Sequence, residues 1–445
     1  MTVPFSFRNY RPRGLEIIDT TLRDGTQSPL LHDHFKYFFN TDDKVEVARA
    51  LIEYGVKFIE LFAPIVSPQE AADFEVIRQA RDELVVQKGY TFLLAHVRTH
   101  PADVEAAVKA GFDGLNFYMG TSEQSRAHNH GRDLAGIASS ARGLLEDVRR
   151  NHPQLVLRFS GEDAFRTSES DLFRVYDQVA DCVDRFGTPD TVGVATPSVV
   201  GARVRALRAR YPNVELEGHF HDDRGFALIN ALEAARAGMR YMNTTILGIA
   251  ERSGITSMTG LLYNLFIDKE YDRLESYHLR GSYPINVMMA DMMRKLVPGK
   301  EPVSLTNRTH TAGVHAKAVI NDASVYEAHP LDQFGVTESE ILLGPLSGWN
   351  VIHYFLHEIC GFDVDAGTAK LIAAAYKKRV YSLGTGESPA RVLIDIAERE
   401  YGLEAVSVPE QYRGAVQQNM TDSRTGGDVG EVGHASGVIL RSKAR

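Results

Sequence analysis

Two imidazoles stand two residues apart in Leu216-Glu217-Gly218-His219-Phe220-His221-Asp222-Asp223. The stretch follows an apolar run, so in a strand both rings point to the same side and form half of a divalent-metal site. An oxygen-bearing third ligand has to come from elsewhere. The segment Ile18-Asp19-Thr20-Thr21-Leu22-Arg23-Asp24-Gly25, which ends another apolar run, is the candidate. If the two segments meet, the chain is a metal enzyme.

The elements that would bring them together recur along the chain. Eight β-rich runs occupy 15–19, 57–62, 91–96, 113–118, 155–160, 190–195, 214–220 and 241–246. Between them, helical periodicity marks 42–54, 101–110, 132–150, 169–185, 201–210 and 226–237. Eight strands alternating with helices outline an α/β fold, a (β/α)8 TIM barrel, whose functional groups gather at the C-terminal ends of the strands. Those ends carry Arg23 and Asp24, Glu60, His96, then Arg158, Ser160 and Glu162, Thr196, and the pair His219 and His221. A helical bundle or a sandwich has no reason to place polar groups at those points.

With 445 residues, 44% hydrophobic and 24% charged, the chain can bury a core of barrel size. A formal net charge of -9 and the lack of any long basic run argue against nucleic-acid binding. Cys182 and Cys360 offer neither a disulfide framework nor zinc spacing, which suits a reducing compartment. No apolar run approaches the ~20 residues of a membrane span, and the polar start lacks a secretory h-region. A cytoplasmic protein is expected.

The barrel is expected over 1–270. Residues 271–335 read as a linker or lid that carries His310 and His315, and 336–413 as a small helical C-terminal domain. From 414 to 445 the chain is rich in Gly, Ser and charge, and is expected to be a disordered tail.

The motifs LRDGTQ at 22–27, LEGHFHDDRGFALI at 216–229 and GIAERSG at 248–254 resemble signatures of the homocitrate synthase and isopropylmalate synthase family, metal-dependent acetyl-CoA-condensing TIM barrels. RFSGEDAFR at 158–166, DTVGVATP at 190–197, NTTILGIAERSGIT at 243–256 and HTAGVHAKA at 310–318 are most similar to homocitrate synthases. The resemblance runs in order from residue 15 to about 340.

That resemblance implies a Claisen-type condensation of acetyl-CoA with a 2-oxo acid, releasing CoA. It implies that Asp24, His219 and His221 hold a divalent cation, with Mg, Mn, Zn and Co all compatible with such mixed ligands. Arg23 would stabilise negative charge on the ketone oxygen or enolate. Glu162 would orient a catalytic histidine, His315, with His310 as the competing base. Thr196 matches the residue that binds the acceptor's C1 carboxylate, Gln27 belongs to the same substrate set, and Glu251 and Arg252 fall in a segment expected near CoA. His96, Arg158 and Ser160 match positions that bind the distal carboxylate of 2-oxoglutarate. A second anionic group on the acceptor is favoured, because a buried guanidinium without a partner is costly. In similar enzymes the 271–335 segment reaches a neighbouring active site, so a homodimer follows.

Two departures bear on the acceptor, beside one change, Asp222, that stays within the family pattern. The loop after Gln27 is about six residues longer than the family's and brings in His32, His34 and Lys36, which either bind the acceptor tail or CoA or form a solvated lid. Ala250 stands where glycine is usual, and Asp222 replaces a frequent asparagine. They fit a shorter or more highly charged acceptor such as oxaloacetate, phosphonopyruvate or phosphinopyruvate as well as 2-oxoglutarate. A metal-dependent hydroxyacyl-CoA lyase or 4-hydroxy-2-oxo acid aldolase on the same barrel is the alternative function.

Overall fold

The computed structural model describes residues 10, 14–32, 38–327, 329–383, 387–412 and 437–441. His34 and Lys36 of the long first loop therefore lie outside the described residues. The chain divides into two units, Met1–Pro302 and Val303–Arg445. The division at 302 falls inside the 271–335 stretch.

In the first unit eight parallel strands close into a barrel in sequence order: β1 (Glu16–Asp19), β2 (Phe58–Phe62), β3 (Phe92–Arg98), β4 (Gly114–Gly120), β5 (Val156–Glu162), β6 (Arg185–Asp190), β7 (Glu215–Phe220) and β8 (Tyr241–Thr244). Around them run α1 (Thr41–Tyr54), α2 (Pro68–Lys88), α3 (Pro101–Ala110), the short α4 (Glu123–Ser125), α5 (Leu134–Asn151), α6 (Glu169–Val179), α7 (Pro197–Arg210), α8 (Ala227–Arg236), α9 (Met258–Ile267) and α10 (Ser282–Met292). Several of these helices start at a capping side chain. Asn40 and Asp43 form a reciprocal capping box on α1, and Ser67, Asp133, Ser168 and Ser257 cap α2, α5, α6 and α9. The floor of the barrel is filled by Ile18, Phe58, Phe92, Leu94, Val156 and Tyr241, with Phe58 stacked on Phe92.

One strand lies elsewhere than the sequence suggests. The β-rich run Thr191-Val192-Gly193-Val194-Ala195 is the loop after β6, because the Asp190 carboxylate accepts from the backbone N–H of Val194 and Ala195, and Gly193 takes a φ of 61°. The strand itself, Arg185-Phe186-Gly187-Thr188-Pro189-Asp190, overlaps the end of the expected 169–185 helix. Pro189 is tolerated because the pairing with β5 stops at Gly187.

The second unit carries α11 (Gly313–Asn321), α12 (Trp349–Tyr354), α13 (Ala366–Val380) and α14 (Pro389–Arg399). Their core is built on Phe355, Phe362, Ile372, Tyr376, Leu393 and Ile396. It is not wholly helical: β10 (Glu338–Leu342) pairs parallel with β9 (Thr309–His310) and antiparallel with β11 (Gly437–Arg441). Part of the stretch expected to be a disordered tail is thus a strand, supplied by β10's open edge; 414–436 and 442–445 lie outside the described residues. Cys182 and Cys360 are both free and buried. Among the described residues, no helix is long and apolar enough to cross a membrane.

Candidate active site

Asp24, His219 and His221 meet, although 195 positions separate the first from the second in a barrel that closes β1 onto β8. Their ligand atoms lie within 4.8 Å of one another. His219 Nε2 is 3.1 Å from His221 Nε2 and 3.3 Å from Asp24 Oδ2. His219 comes from β7, while His221 lies just past the strand in a bridge with Ile255. His219 Nδ1 donates to Asn243 Oδ1 at 3.2 Å, and Asn243 Nδ2 donates in turn to Glu217. That fixes the tautomer and leaves the Nε2 lone pair facing the cluster. Asp24 Oδ2 and His221 Nδ1 are buried without a hydrogen-bond partner. Three converging lone-pair donors, one an orphaned carboxylate oxygen, fit a divalent cation.

Electrostatics keep these groups in ligating form. Burial acts to raise the Asp24 carboxyl, but the Arg23 guanidinium beside it, with His219, outweighs that and holds it well below the usual carboxylate range. Burial, reinforced by His219, pushes the His221 imidazole down to about 3.

Arg23 is positioned by a buried network that the sequence disclosed only in part. Its Nε donates to Glu60 Oε1 at 2.8 Å and its Nη1 lies 3.3 Å from Asp24 Oδ2. Glu60, fully buried on β2, also takes Arg158 at 3.3 Å and the amide of Asn116. Glu217 on β7 pairs with Arg158, accepts from Arg185 Nε at 3.0 Å, and accepts from Asn243 at 3.1 Å. Against its burial, the guanidiniums of Arg23 and Arg158 keep Glu60 ionised, well below its ordinary value. Asn116, Arg185, Glu217 and Asn243 were not singled out from the sequence. Only Glu217 carried a local signal, standing two positions before His219 as Arg158 stands before Ser160.

The network corrects one premise. Arg158 is buried, but it is not without partners, since it faces both Glu60 and Glu217. What remains open is a single donor, Nε, buried and unpaired. His96, on β3, has its Nδ1 3.5 Å from Glu60, and its ring is stacked on Tyr118. Burial, and then Arg23, push it down to about 4, so it is a neutral imidazole. Ser160 is buried one inward step beyond Arg158. Glu162 ends β5; burial and neighbouring Asp163 raise its carboxyl.

Thr196 is the N-cap position of α7, and its side chain does not cap that helix. Gln27 is exposed in the turn after Asp24. Glu251 is exposed as well. Arg252 is committed within the protein: it forks onto Asp223 at 2.8 and 2.9 Å and donates to the Thr191 carbonyl, tying together the loops after β6, β7 and β8. Asp222 accepts from the Ala227 N–H at 2.8 Å and so holds the start of α8.

In the second unit, His310 is buried with its Nε2 3.2 Å from Glu327, which Arg308 also binds. His315 is exposed on the first turn of α11, stacked on Tyr326 with ring centroids 3.8 Å apart. The two candidate bases thus differ in access.

Comparison with known proteins places the chain in a family. Residues 14–281 match the HMGL-like family and 303–381 match the homocitrate synthase post-HMGL domain-like family. The mitochondrial homocitrate synthase of Yarrowia lipolytica is 34% identical over 88% of this chain and 84% of its own length. The cytosolic isozyme of Saccharomyces cerevisiae is 35% identical over 76% of each chain. The 2-isopropylmalate synthase of Thermosynechococcus vestitus is 29% identical over 78% of this chain and 66% of its own. In fold, the barrel is similar to the hydroxymethylglutaryl-CoA lyase of Pseudomonas aeruginosa, with a TM-score of 0.53 at 19% identity over 65% of this chain and 96% of that one. With both families matched and relatives of this length at 34–35% identity, the chain belongs to the homocitrate synthase and isopropylmalate synthase family of acetyl-CoA-condensing acyltransferases.

Proposed function

We propose that this enzyme condenses acetyl-CoA with a 2-oxo acid bearing a second acidic group, releasing CoA and a 2-hydroxy polyacid. One observation carries the reading: the orphaned Asp24 Oδ2 faces two imidazoles, and the same barrel interior holds an unpaired Arg158 Nε and a neutral His96. Asp24, His219 and His221 would hold Mg, Mn, Zn or Co, and a cation bound there supplies Lewis acidity toward the acceptor's ketone. Arg23, locked by Glu60, presents a fixed positive charge to the enolate oxygen. The hydroxyl of Thr196, at the start of α7, takes the C1 carboxylate.

The base is His315, oriented by Glu162. Its exposed position on α11 supports reach into the site of a second copy of the chain, hence a homodimer, while His310 is sequestered by Glu327. His315 takes a proton from the acetyl methyl, and the resulting carbon attacks the ketone carbon. The new alkoxide gains a proton, and water cleaves the thioester to free the CoA thiol. The match of 303–381 to a homocitrate synthase segment supports condensation over the lyase or aldolase alternative. Two buried free thiols accord with a cytoplasmic location.

The test is release of free thiol from acetyl-CoA by the purified enzyme with Mn or Mg. Oxaloacetate, phosphonopyruvate and 2-oxoglutarate are offered against pyruvate and 2-oxoisovalerate. Thiol release with at least one dianionic acid, abolished by a chelator and restored by Mn, is expected. Preference for 2-oxoisovalerate would remove the roles given to His96 and Arg158.

A further inference from the structure

Above the charged network, the next inward position is aromatic on three consecutive strands. Two residues beyond Glu60, Leu94 and Asn116 come Phe62 on β2, His96 on β3 and Tyr118 on β4. The rings of His96 and Tyr118 lie flat on one another, with centroids 4.4 Å apart and planes 14° from parallel. Tyr118 pairs in register with Ser160, and Ser160 with Gly187. At Gly187 even a methyl group would lie 1.9 Å from Ser160 Oγ. This side of the barrel mouth is therefore closed by two stacked rings, a hydroxyl and bare backbone. Burial, and then Glu162, raise the Tyr118 phenol, while the stacking on His96 and the register with Ser160 set that ring beside the acceptor-binding groups.

An acceptor tail has two limits here. Below, Glu60, Arg158 and Glu217 are paired with one another, so a tail that went deeper would have to break a buried ion pair. To the side stands Tyr118. We propose that Tyr118, held flat against His96, gauges the acceptor's length and selects 2-oxo acids whose second acidic group stands one methylene from the ketone over those with two. This deepens the dianionic-acceptor reading and rests on it.

The experiment is kcat/KM for oxaloacetate and for 2-oxoglutarate in the wild type, Tyr118→Phe and Tyr118→Ala, with acetyl-CoA saturating. The wild type is expected to favour oxaloacetate by about tenfold or more, the range one methylene commands in a fitted pocket. Tyr118→Phe keeps the ring and should keep that ratio. Tyr118→Ala should swing it toward 2-oxoglutarate by about ten- to 200-fold, through a gain with the longer acid. A wild type that prefers 2-oxoglutarate overturns the proposal, and that measurement needs no variant to fold. A Tyr118→Ala enzyme that loses both acids equally overturns it too. If the wild type acts only on pyruvate or 2-oxoisovalerate, the dianionic reading itself has failed, a result distinct from either.

Discussion

Within the barrel, two sets of inward groups on the same strands, one residue pair apart, are used in opposite ways. In the lower set, Glu60, Arg158, Arg185 and Glu217 each have an opposite charge within 3.3 Å. In the upper set, which includes His219, with Asp24 and His221 beside it, a carboxylate oxygen and an imidazole nitrogen are buried with no hydrogen-bond partner, although Arg23 stands 3.3 Å from that oxygen. Both sets bear the cost of burying polar groups, but the lower one recovers most of it in internal pairs, with Arg158 Nε left over. The difference teaches where to look for function in such a barrel: not at buried charge as such, but at buried polar atoms that the protein leaves unsatisfied.

The comparison breaks most sharply with Asp24→Asn. Losing the anionic ligand should lower kcat by on the order of 10³-fold, about 4 kcal/mol, while the thermal midpoint stays nearly unchanged. Thiol-release kinetics, metal content by mass spectrometry and a melting curve would show it; a large drop in the midpoint would mean that the upper set is structural. Glu217→Gln should do the reverse. It removes one of the two carboxylates facing Arg158 and a charged partner of Arg185 at 3.0 Å, so unfolding in urea should show a loss of about 3–5 kcal/mol. Metal bound per folded molecule should hold. A fully stable Glu217→Gln protein would show that the lower set is not a stabilising pairing.

That division also explains what could be read from the sequence. The upper set announced itself by local spacing, as in His219-Phe220-His221 and Arg23-Asp24, and by lying at the ends of apolar runs. The lower set consists of pairs 32 to 98 positions apart, such as Arg185–Glu217 and Arg158–Glu60, and no local pattern states that they meet. Arg158 was therefore read as a charge in need of a substrate when it already had two protein partners. β6 was misplaced for a related reason: Gly187 and Pro189 look like breakers, yet the first is required by the closeness of Ser160 and the second lies past the last pairing with β5. Thr191–Ala195 has strand composition, but the carboxylate of Asp190, just before it, accepts from the Val194 and Ala195 N–H groups and turns it into a loop.

Gly187 joins the two sets, and its substitution probes the boundary. A Cβ there would stand 1.9 Å from Ser160 Oγ and 3.3 Å from Arg158 Cδ. Gly187→Ala should cost about 1–3 kcal/mol of stability, the usual range for overpacking. By moving Ser160 it should also raise the acceptor's KM roughly tenfold while kcat changes less. Adding Ser160→Gly should restore the melting temperature but not the KM. Recovery of both would mean that the Ser160 hydroxyl has no part in binding.

The smallest effect concerns His96, which belongs to the upper set by position but touches the lower through Glu60. Burial first, and then Arg23, lower its pKa to about 4 in the folded protein, against about 6.5 for an unfolded chain. Between those values the unfolded state binds a proton that the native state refuses, so stability rises with pH across this window. The contribution is complete above pH 6.5, is lost progressively as the pH falls toward 4, and changes no further below that. His96→Gln removes it. Urea unfolding followed from pH 7.5 to 4.5 should therefore give the variant a flatter profile than the wild type, by about one proton at most. Parallel profiles would mean that His96 is protonated in the native state. It would then belong with the paired charges of the lower set and would face the acceptor as a cation, not as a neutral donor.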